Sequence, residues 1–234
     1  MKNASELRKN LSAMDYDPGY FCKFIKDQYV RNRIKKEKFK SILDIGCDTG
    51  YMAGLLNYDN YDFEYLGIDT QNNINNNYLV NHHHDFQKVD DTIKFLKQAK
   101  NTLMSFDCIL MLDVIEHFKN KKEGMEALQL AFNLLDGGGF LFLSTPNCIN
   151  GKINWPEYHT YEYSLKEILN FEGDYSAMIR RQLFGWSMSD EVYHLNYGMY
   201  NEIVPIEISR VLKAIDNPKN SRDIMIVWQK KNKQ

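Results

Sequence analysis

The four cysteines of this 234-residue chain, Cys22, Cys47, Cys108 and Cys148, include no close C-x-x-C pair. That spacing argues against a zinc ribbon or a thioredoxin-type redox motif. The opening MKNASELRKN lacks the apolar core of a secretion signal, so a reducing cytoplasm is the expected address. No apolar run approaches the ~20 residues needed to span a bilayer, and a soluble protein is expected. Charge of one sign is missing as well. With 29 basic and 31 acidic residues and a net charge of -2, the chain has no long-range positive field to gather nucleic acid. The basic run RNRIKKEKFK at 31–40 reads as a solvated helix face. At 44% hydrophobic residues, the length suffices for one good core and falls short of two full enzymatic domains.

What the chain does contain is an alternation of two periods. SILDIGC, DFEYLGID, NYLVNHH, FDCILML and GGFLFLSTP are short apolar runs bounded by Gly, Asp, Asn or Pro, as buried parallel strands are. Between them YMAGLLNY, VDDTIKFLKQAKNTL and KKEGMEALQLAFNLL carry helical spacing, the last running into DGGG, a helix stop. The rhythm predicts a doubly wound α/β sheet. Beyond residue 150, SLKEILNFEG reads as a helix with a serine cap, YSAMIRRQLFGW as a strand, VPIEISRVLKAI as a helix and SRDIMIVWQKK as a final strand. Two late strands of this kind predict an antiparallel edge. Residues 1–40 look helical, with Tyr20, Phe21, Phe24, Ile25 and Tyr29 on neighbouring turns after a Pro18-Gly19 break. Such a stripe serves either core packing or a lid over a pocket. Consecutive histidines at 82–84 alternate faces on a strand and cannot all converge on one ion.

The turn in SILDIGCDTG lies where a doubly wound sheet binds its ligand. A phosphate-binding loop needs a lysine after the last glycine, and none follows Gly50; a dinucleotide fingerprint fails at Asp48 and Tyr51. Asp44 and Asp48 would also repel a pyrophosphate at the helix N-terminus. The ligand should be uncharged or cationic at this end. Asp69 closes the next strand about twenty residues on, where a carboxylate accepts both hydroxyls of an adenosine ribose. A ribose, no phosphate and positive charge together suggest S-adenosylmethionine.

At these residues the chain resembles the class I S-adenosylmethionine-dependent methyltransferases, from about residue 41 to 230, and in particular the small-molecule O-methyltransferases of the ubiquinone-pathway type. LDIGCDTG is similar to their glycine-rich motif, with Asp44, Gly46 and Gly50 in register and Asp48 in place of the middle glycine. FDCILMLDVIEHF matches the fourth-strand motif and LLDGGGFLFLSTPN the helix, turn and strand after it. The resemblance implies a Rossmann-like, seven-stranded sheet, mostly parallel with an antiparallel edge strand and helices on both faces. It implies a methyltransferase domain at 41–234 behind an N-terminal helical segment at 1–40. The implied cofactor contacts are Asp44, Gly46, Cys47, Asp48, Gly50, Asp69, Thr70, Asp85, Phe86, Leu112 and Asp113. Among them Asp85, in HHHDF after the third strand, answers to the residue near the adenine amino group.

In DVIEHF, Asp113, Glu116 and His117 recur at i, i+3 and i+4, which gathers them on one side of a helical turn. Two readings stand. His117 or His159 can act as general base toward an acceptor hydroxyl. Alternatively Asp113, Glu116, His117 and His159 hold Mg2+ or another divalent cation that lowers the acceptor pKa. The acid-x-x-Glu-His pattern is similar to the metal set of ubiquinone-pathway O-methyltransferases and of small-RNA 3′-terminal methyltransferases, which have Glu at the first position. Glu116, His117 and His159 are the expected catalytic set, with Trp155, Tyr158, Tyr161 and Tyr163 either walling an acceptor site or simply packing together. The expected activity is O-methylation of a hydroxyl on a small metabolite, sugar or secondary-metabolite intermediate. An RNA- or nucleotide-directed methyltransferase and a non-catalytic cofactor-binding protein, the latter suggested by Asp48, are the alternatives.

Overall fold

The computed structural model describes residues 18–57, 61–75, 83–151, 153, 155–170, 178–186, 221 and 223–232, with side chains outside the description at 18–25 and in 178–186. The elements are α1 (Pro18–Glu37), β1 (Ser41–Ile45), α2 (Tyr51–Asn57), β2 (Glu64–Asp69), β3 (His84–Lys88), α3 (Thr92–Asn101) and β4 (Phe106–Leu112). A 3-10 turn (Ile115–His117), α4 (Lys121–Asn133), β5 (Leu135–Pro146), α5 (Leu165–Asn170), β6 (Met178–Trp186) and β7 (Asp223–Lys230) follow. Pro18 opens α1, a position where its missing N–H costs nothing. Asp91 and Asn120 cap α3 and α4 through their side-chain oxygens.

The strands form one seven-stranded sheet in the order β3-β2-β1-β4-β5-β7-β6. β1 pairs in parallel with both β2 and β4, so the strand order reverses between β1 and β4 and opens a crevice at their carboxyl ends. The period-2 alternation of β1, β4 and β5 feeds two cores. Leu43, Ile45, Ile109, Met111, Leu141 and Leu143 face α3 and α4 through Leu96, Ala99, Ala127, Leu128 and Ala131. Ile42, Cys108, Leu110, Phe140 and Phe142 face α1 and α2 through Val30, Ile34, Met52, Ala53 and Leu56. Helices therefore cover both faces, and α1 is part of the second core. The basic run behaves as a mostly exposed face, with Ile34 and Phe39 as its buried residues. No helix among the described residues is long and apolar enough to cross a membrane.

Three expectations need correction. The third strand is His84–Lys88 rather than 77–83; of that stretch only His83 lies among the described residues, in a turn. Its five residues are largely exposed at the sheet edge, which is why they carry no apolar signal. The glycines of DGGG do not form a turn after α4. The helix ends at Asn133 and the chain is already extended at Leu135; the glycines occupy the register shift between the Phe106–Leu135 and Cys108–Phe140 pairs. The reversed strand is not itself the edge: β7 runs antiparallel to both β5 and β6, and β6, parallel in direction to β5, forms the rim. The stripe of Tyr20, Phe21, Phe24 and Ile25 and the helix expected over VPIEISRVLKAI lie outside the described side chains and residues.

Gly124 of α4 marks the closest approach of that helix to the loop before α5. A β-carbon there would stand 2.1 Å from the Tyr163 hydroxyl and 3.1 Å from the Ile115 carbonyl oxygen. Tyr163 is fully buried and donates to the Lys121 carbonyl, so it cannot swing away. Gly124→Ala is expected to destabilise the fold by about 1–3 kcal/mol through overpacking, read as a drop in thermal midpoint. An unchanged midpoint would show that Tyr163 is held more loosely than its burial implies.

Candidate active site

The strand-to-helix turn after β1 is built from left-handed residues. Gly46 and Gly50 have φ of 73° and 76°, and Asp48, at φ 48°, adopts the same region as a non-glycine. Aspartate tolerates that region better than most residues. Here its N–H donates to Asp69 Oδ2 at 2.9 Å, and its Oδ1 accepts from Asn73 Nδ2 at 3.1 Å. Gly46 cannot be replaced on steric grounds either, since a β-carbon would come within 2.4 Å of Val114. The turn is pinned to β2 by Gly46 and Cys47 N–H groups on the Ile68 carbonyl. Asp69, half-buried, also accepts from the Gln71 N–H at 2.9 Å, so both its oxygens are oriented by backbone donors. Thr70 beside it is exposed. Asp44 lies beneath, buried and accepting from the Tyr65 hydroxyl at 2.8 Å. Burial, followed by the charges of Asp44 and Asp69, pushes the Cys47 thiol far up, so it stays protonated and inert.

Asp85 falls elsewhere. It pairs with Leu66, whereas Asp69 at the carboxyl end pairs with Lys88. Three strand positions, roughly 10 Å, separate Asp85 from the crevice, and it lines a cavity of about 420 Å³ at the opposite end of the strands with Ser41, Glu64 and His83. Phe86 packs against the second core. The acid that β3 does bring near Asp69 is Asp90, exposed and directly after Val89, whose N–H donates to the Asp69 carbonyl at 2.9 Å. Placing the third strand too early hid it; the VDD that precedes a helical pattern was the available signal.

At the end of β4, Leu112 is half-buried against the second core and Asp113 turns into the left-handed region at φ 55°. That turn separates Asp113 from Glu116 and His117. One of its oxygens accepts from Ser144 Oγ at 2.7 Å, and the other is ion-paired with the buried Lys26 of α1. Burial alone would lower the Lys26 pKa, but Asp113, Asp27 and Asp223 outweigh it and hold the ammonium charged. The expected four-residue set is thus divided: Glu116, His117 and His159 each bring a ligand atom within 4.8 Å of the others, and Asp113 is not among them.

Glu116 is 1% exposed and accepts from Thr145 Oγ1 at 3.0 Å. Burial and then the Asp113 charge push its carboxyl up to about 8, against the smaller pull of its hydrogen bonds and of Lys26. Its backbone carbonyl receives the N–H groups of Thr160 and Tyr161, which ties down the loop bearing His159. His117 Nδ1 lies 3.0 Å from the Tyr158 carbonyl, and His159 Nδ1 2.7 Å from Glu162 Oε1. The two rings meet edge to face at 5.1 Å, and Trp155 packs on His159 at 5.6 Å. His117 is exposed as a residue, yet the groups packed around its ring partly desolvate it and, with the neighbouring His159, lower its pKa. Tyr163 is buried in the first core and Tyr161 packs against it, their hydroxyls donating to the Lys121 carbonyl and to Glu167. Lys26, Ser144, Thr145 and Glu162 escaped sequence reading. The polar pair Ser144-Thr145 inside the apolar run FLFLSTP was the one legible hint.

A family profile described as "Methyltransferase domain" matches residues 17–197. No curated protein matches the chain. Among solved structures, a SAM-dependent methyltransferase from Archaeoglobus fulgidus is similar at 16% identity and TM-score 0.58, covering 90% of this chain and 99% of that one. The N-methyltransferase NodS from Bradyrhizobium japonicum WM9, in complex with S-adenosyl-L-homocysteine, is similar at 14% identity and TM-score 0.60, covering 98% of each chain. An O-methyltransferase family protein from Burkholderia thailandensis is similar at 9% identity and TM-score 0.56, covering 89% of this chain and 57% of that one. At these identities the likeness is one of fold.

Two outcomes are expected at this site. Asp69→Ala should weaken S-adenosylhomocysteine binding by at least about 10-fold, the loss of charged hydrogen bonds to two hydroxyls, whereas Asp48→Gly should leave it within about 3-fold because the turn already has glycine-like angles. Calorimetric titration separates the two. For Glu116, a folded-state pKa raised from 4.5 to about 8 means that the fold binds a proton the unfolded chain releases. Its contribution is full below pH 4.5 and is lost as pH rises through 8. Denaturant titration of chelator-treated protein should show that decline, and Glu116→Gln should flatten it.

Proposed function

We propose, for a chain that belongs to the methyltransferase domain family and is an S-adenosylmethionine-dependent methyltransferase, that it methylates a hydroxyl of a small molecule. The observation that carries this reading is the meeting of Glu116, His117 and His159 beside the crevice whose other wall holds Asp69. Bound S-adenosylmethionine supplies a methyl group on a sulfonium, so the chain must align the acceptor and dispose of its proton. Asp69, presented by two backbone donors, suits the ribose hydroxyls; Asp90 replaces Asp85 as the acid proposed at the adenine end. Asp44, buried beneath the glycine turn, adds negative charge on the side proposed for the sulfonium.

Proton disposal falls to the acceptor side. His117, exposed to solvent and with its pKa lowered by its crowded surroundings and by His159, can accept a proton from a hydroxyl within hydrogen-bond reach. The donor set of one carboxylate and two imidazoles also fits a divalent cation, which would supply Lewis acidity toward the acceptor oxygen. Glu116, His117 and His159 would hold it. A cation beside Glu116 would replace the proton that burial now favours there. Asp113 is proposed to shape the cleft with Lys26 rather than to ligate. Trp155, against His159, remains the aromatic wall of choice. The similar fold serves a named N-methyltransferase and an O-methyltransferase family protein alike, so the choice of oxygen rests on this acceptor group.

The test is an acceptor screen with S-adenosylmethionine in the presence of manganese, magnesium or chelator. Hydroxyl acceptors should turn over, and His117→Ala or His159→Ala should lower kcat by about 10²–10⁴-fold while S-adenosylhomocysteine affinity holds. Turnover of amines alone, or undiminished kcat in both histidine variants, would sink the reading.

A further inference from the structure

Glu162 is an unusual residue to bury in a loop. Its side chain is fully shielded from solvent, and a buried carboxylate is costly unless donors meet it. It caps no helix: that task before α5 is done by Ser164 and Glu167, each accepting the other's backbone N–H. Among its donors are the Trp155 N–H, at 3.2 Å, and His159 Nδ1, at 2.7 Å, both on Oε1. Oε1 already serves as acceptor to the Trp155 N–H, and the same role toward the ring puts the proton of that short contact on Nδ1. In the neutral ring the lone pair then resides on Nε2. His117 is held alike from the same loop, its Nδ1 facing the Tyr158 carbonyl, which can only accept.

We propose that Glu162 is a positioning residue for the methyl-transfer site, fixing His159 as the Nδ1–H tautomer and leaving Nε2 as the nitrogen able to take a proton or a metal ion. The inference rests on the reading of Glu116, His117 and His159 as the acceptor-side group. Paired with Trp155, Glu162 also sets the ring plane: the carboxylate anchors one edge of the imidazole and the indole packs across it at 5.6 Å. A carboxylate behind a ligating or basic histidine orients it and raises its basicity, and loss of such a partner costs 10–100-fold in metal affinity or activity.

The full chain, labelled with 15N-histidine and metal-free, gives the first readout. Long-range proton–nitrogen spectra at pH 8 should show His159, assigned by its absence in His159→Ala, with its proton on Nδ1; a proton on Nε2 alone would overturn the proposal whether or not any Glu162 variant folds. The second readout is Mn2+ binding followed by electron paramagnetic resonance. Glu162→Gln should weaken it about 10–100-fold, with S-adenosylhomocysteine affinity unchanged as the check on folding. Wild-type Mn2+ affinity in Glu162→Gln, alongside its loss in His159→Ala, would overturn the role of Glu162 and leave the site reading standing. Wild-type affinity in His159→Ala would instead overturn the site reading, and the role of Glu162 with it.

Discussion

The carboxyl group of Glu116 is buried where β4, β5 and the loop at 155–163 meet, and the acceptor half of the molecule is arranged around satisfying it. One carboxyl oxygen takes the Thr145 hydroxyl from β5, and the backbone carbonyl of the same residue takes two N–H groups from the loop. Those bonds bring His159 against His117. A polar group withdrawn from water must find partners, and here the partners are the segments that build the site. The same burial leaves the carboxyl with a raised pKa, beside a His117 ring whose pKa is lowered.

The half proposed to hold the cofactor is organised differently, through backbone: left-handed angles at Gly46, Asp48 and Gly50, and N–H groups that aim the Asp69 oxygens. Side chains there are few and their roles narrow. Asp48 shows how far such a turn tolerates substitution, since the conformation that glycine provides freely is held by two hydrogen bonds to and from the aspartate. Between the halves lies the Lys26–Asp113 pair, through which α1 is attached to the end of β4. With Lys26 buried and Asp113 half-exposed, the pair adds little stability by itself but penalises any arrangement that leaves the lysine buried and unpaired. That makes the placement of α1 over the crevice specific.

How much of this was legible in the chain differs by layer. The four parallel strands with continuous apolar runs, β1, β2, β4 and β5, announce themselves because both their faces are buried. β3 does not, for it lies at the sheet edge with mostly exposed side chains, and the error displaced Asp85 into a role its position rules out. The glycine turn and the Asp69 spacing are local features, dictated by backbone sterics within one strand–turn–helix unit, and they read directly from the residues. The grouping of Glu116 and His117 was visible as a spacing, yet the same spacing wrongly included Asp113, because a helical turn was assumed where a left-handed residue intervenes.

The sequence by itself determined the alternation of strand and helix, the ligand turn and the candidate acids and histidines, since each depends on periodicity or on conformational freedom over a few residues. Only the tertiary structure decided which of those candidates meet. Lys26 reaches Asp113 across 87 positions of chain, and His117 reaches the Tyr158 carbonyl across 41. Contacts of that separation are set by the sheet order and by the packing of α1 and the acceptor loop on its carboxyl edge. No local pattern encodes them, because the energy that selects them is the burial of two whole faces and of one carboxyl group between them.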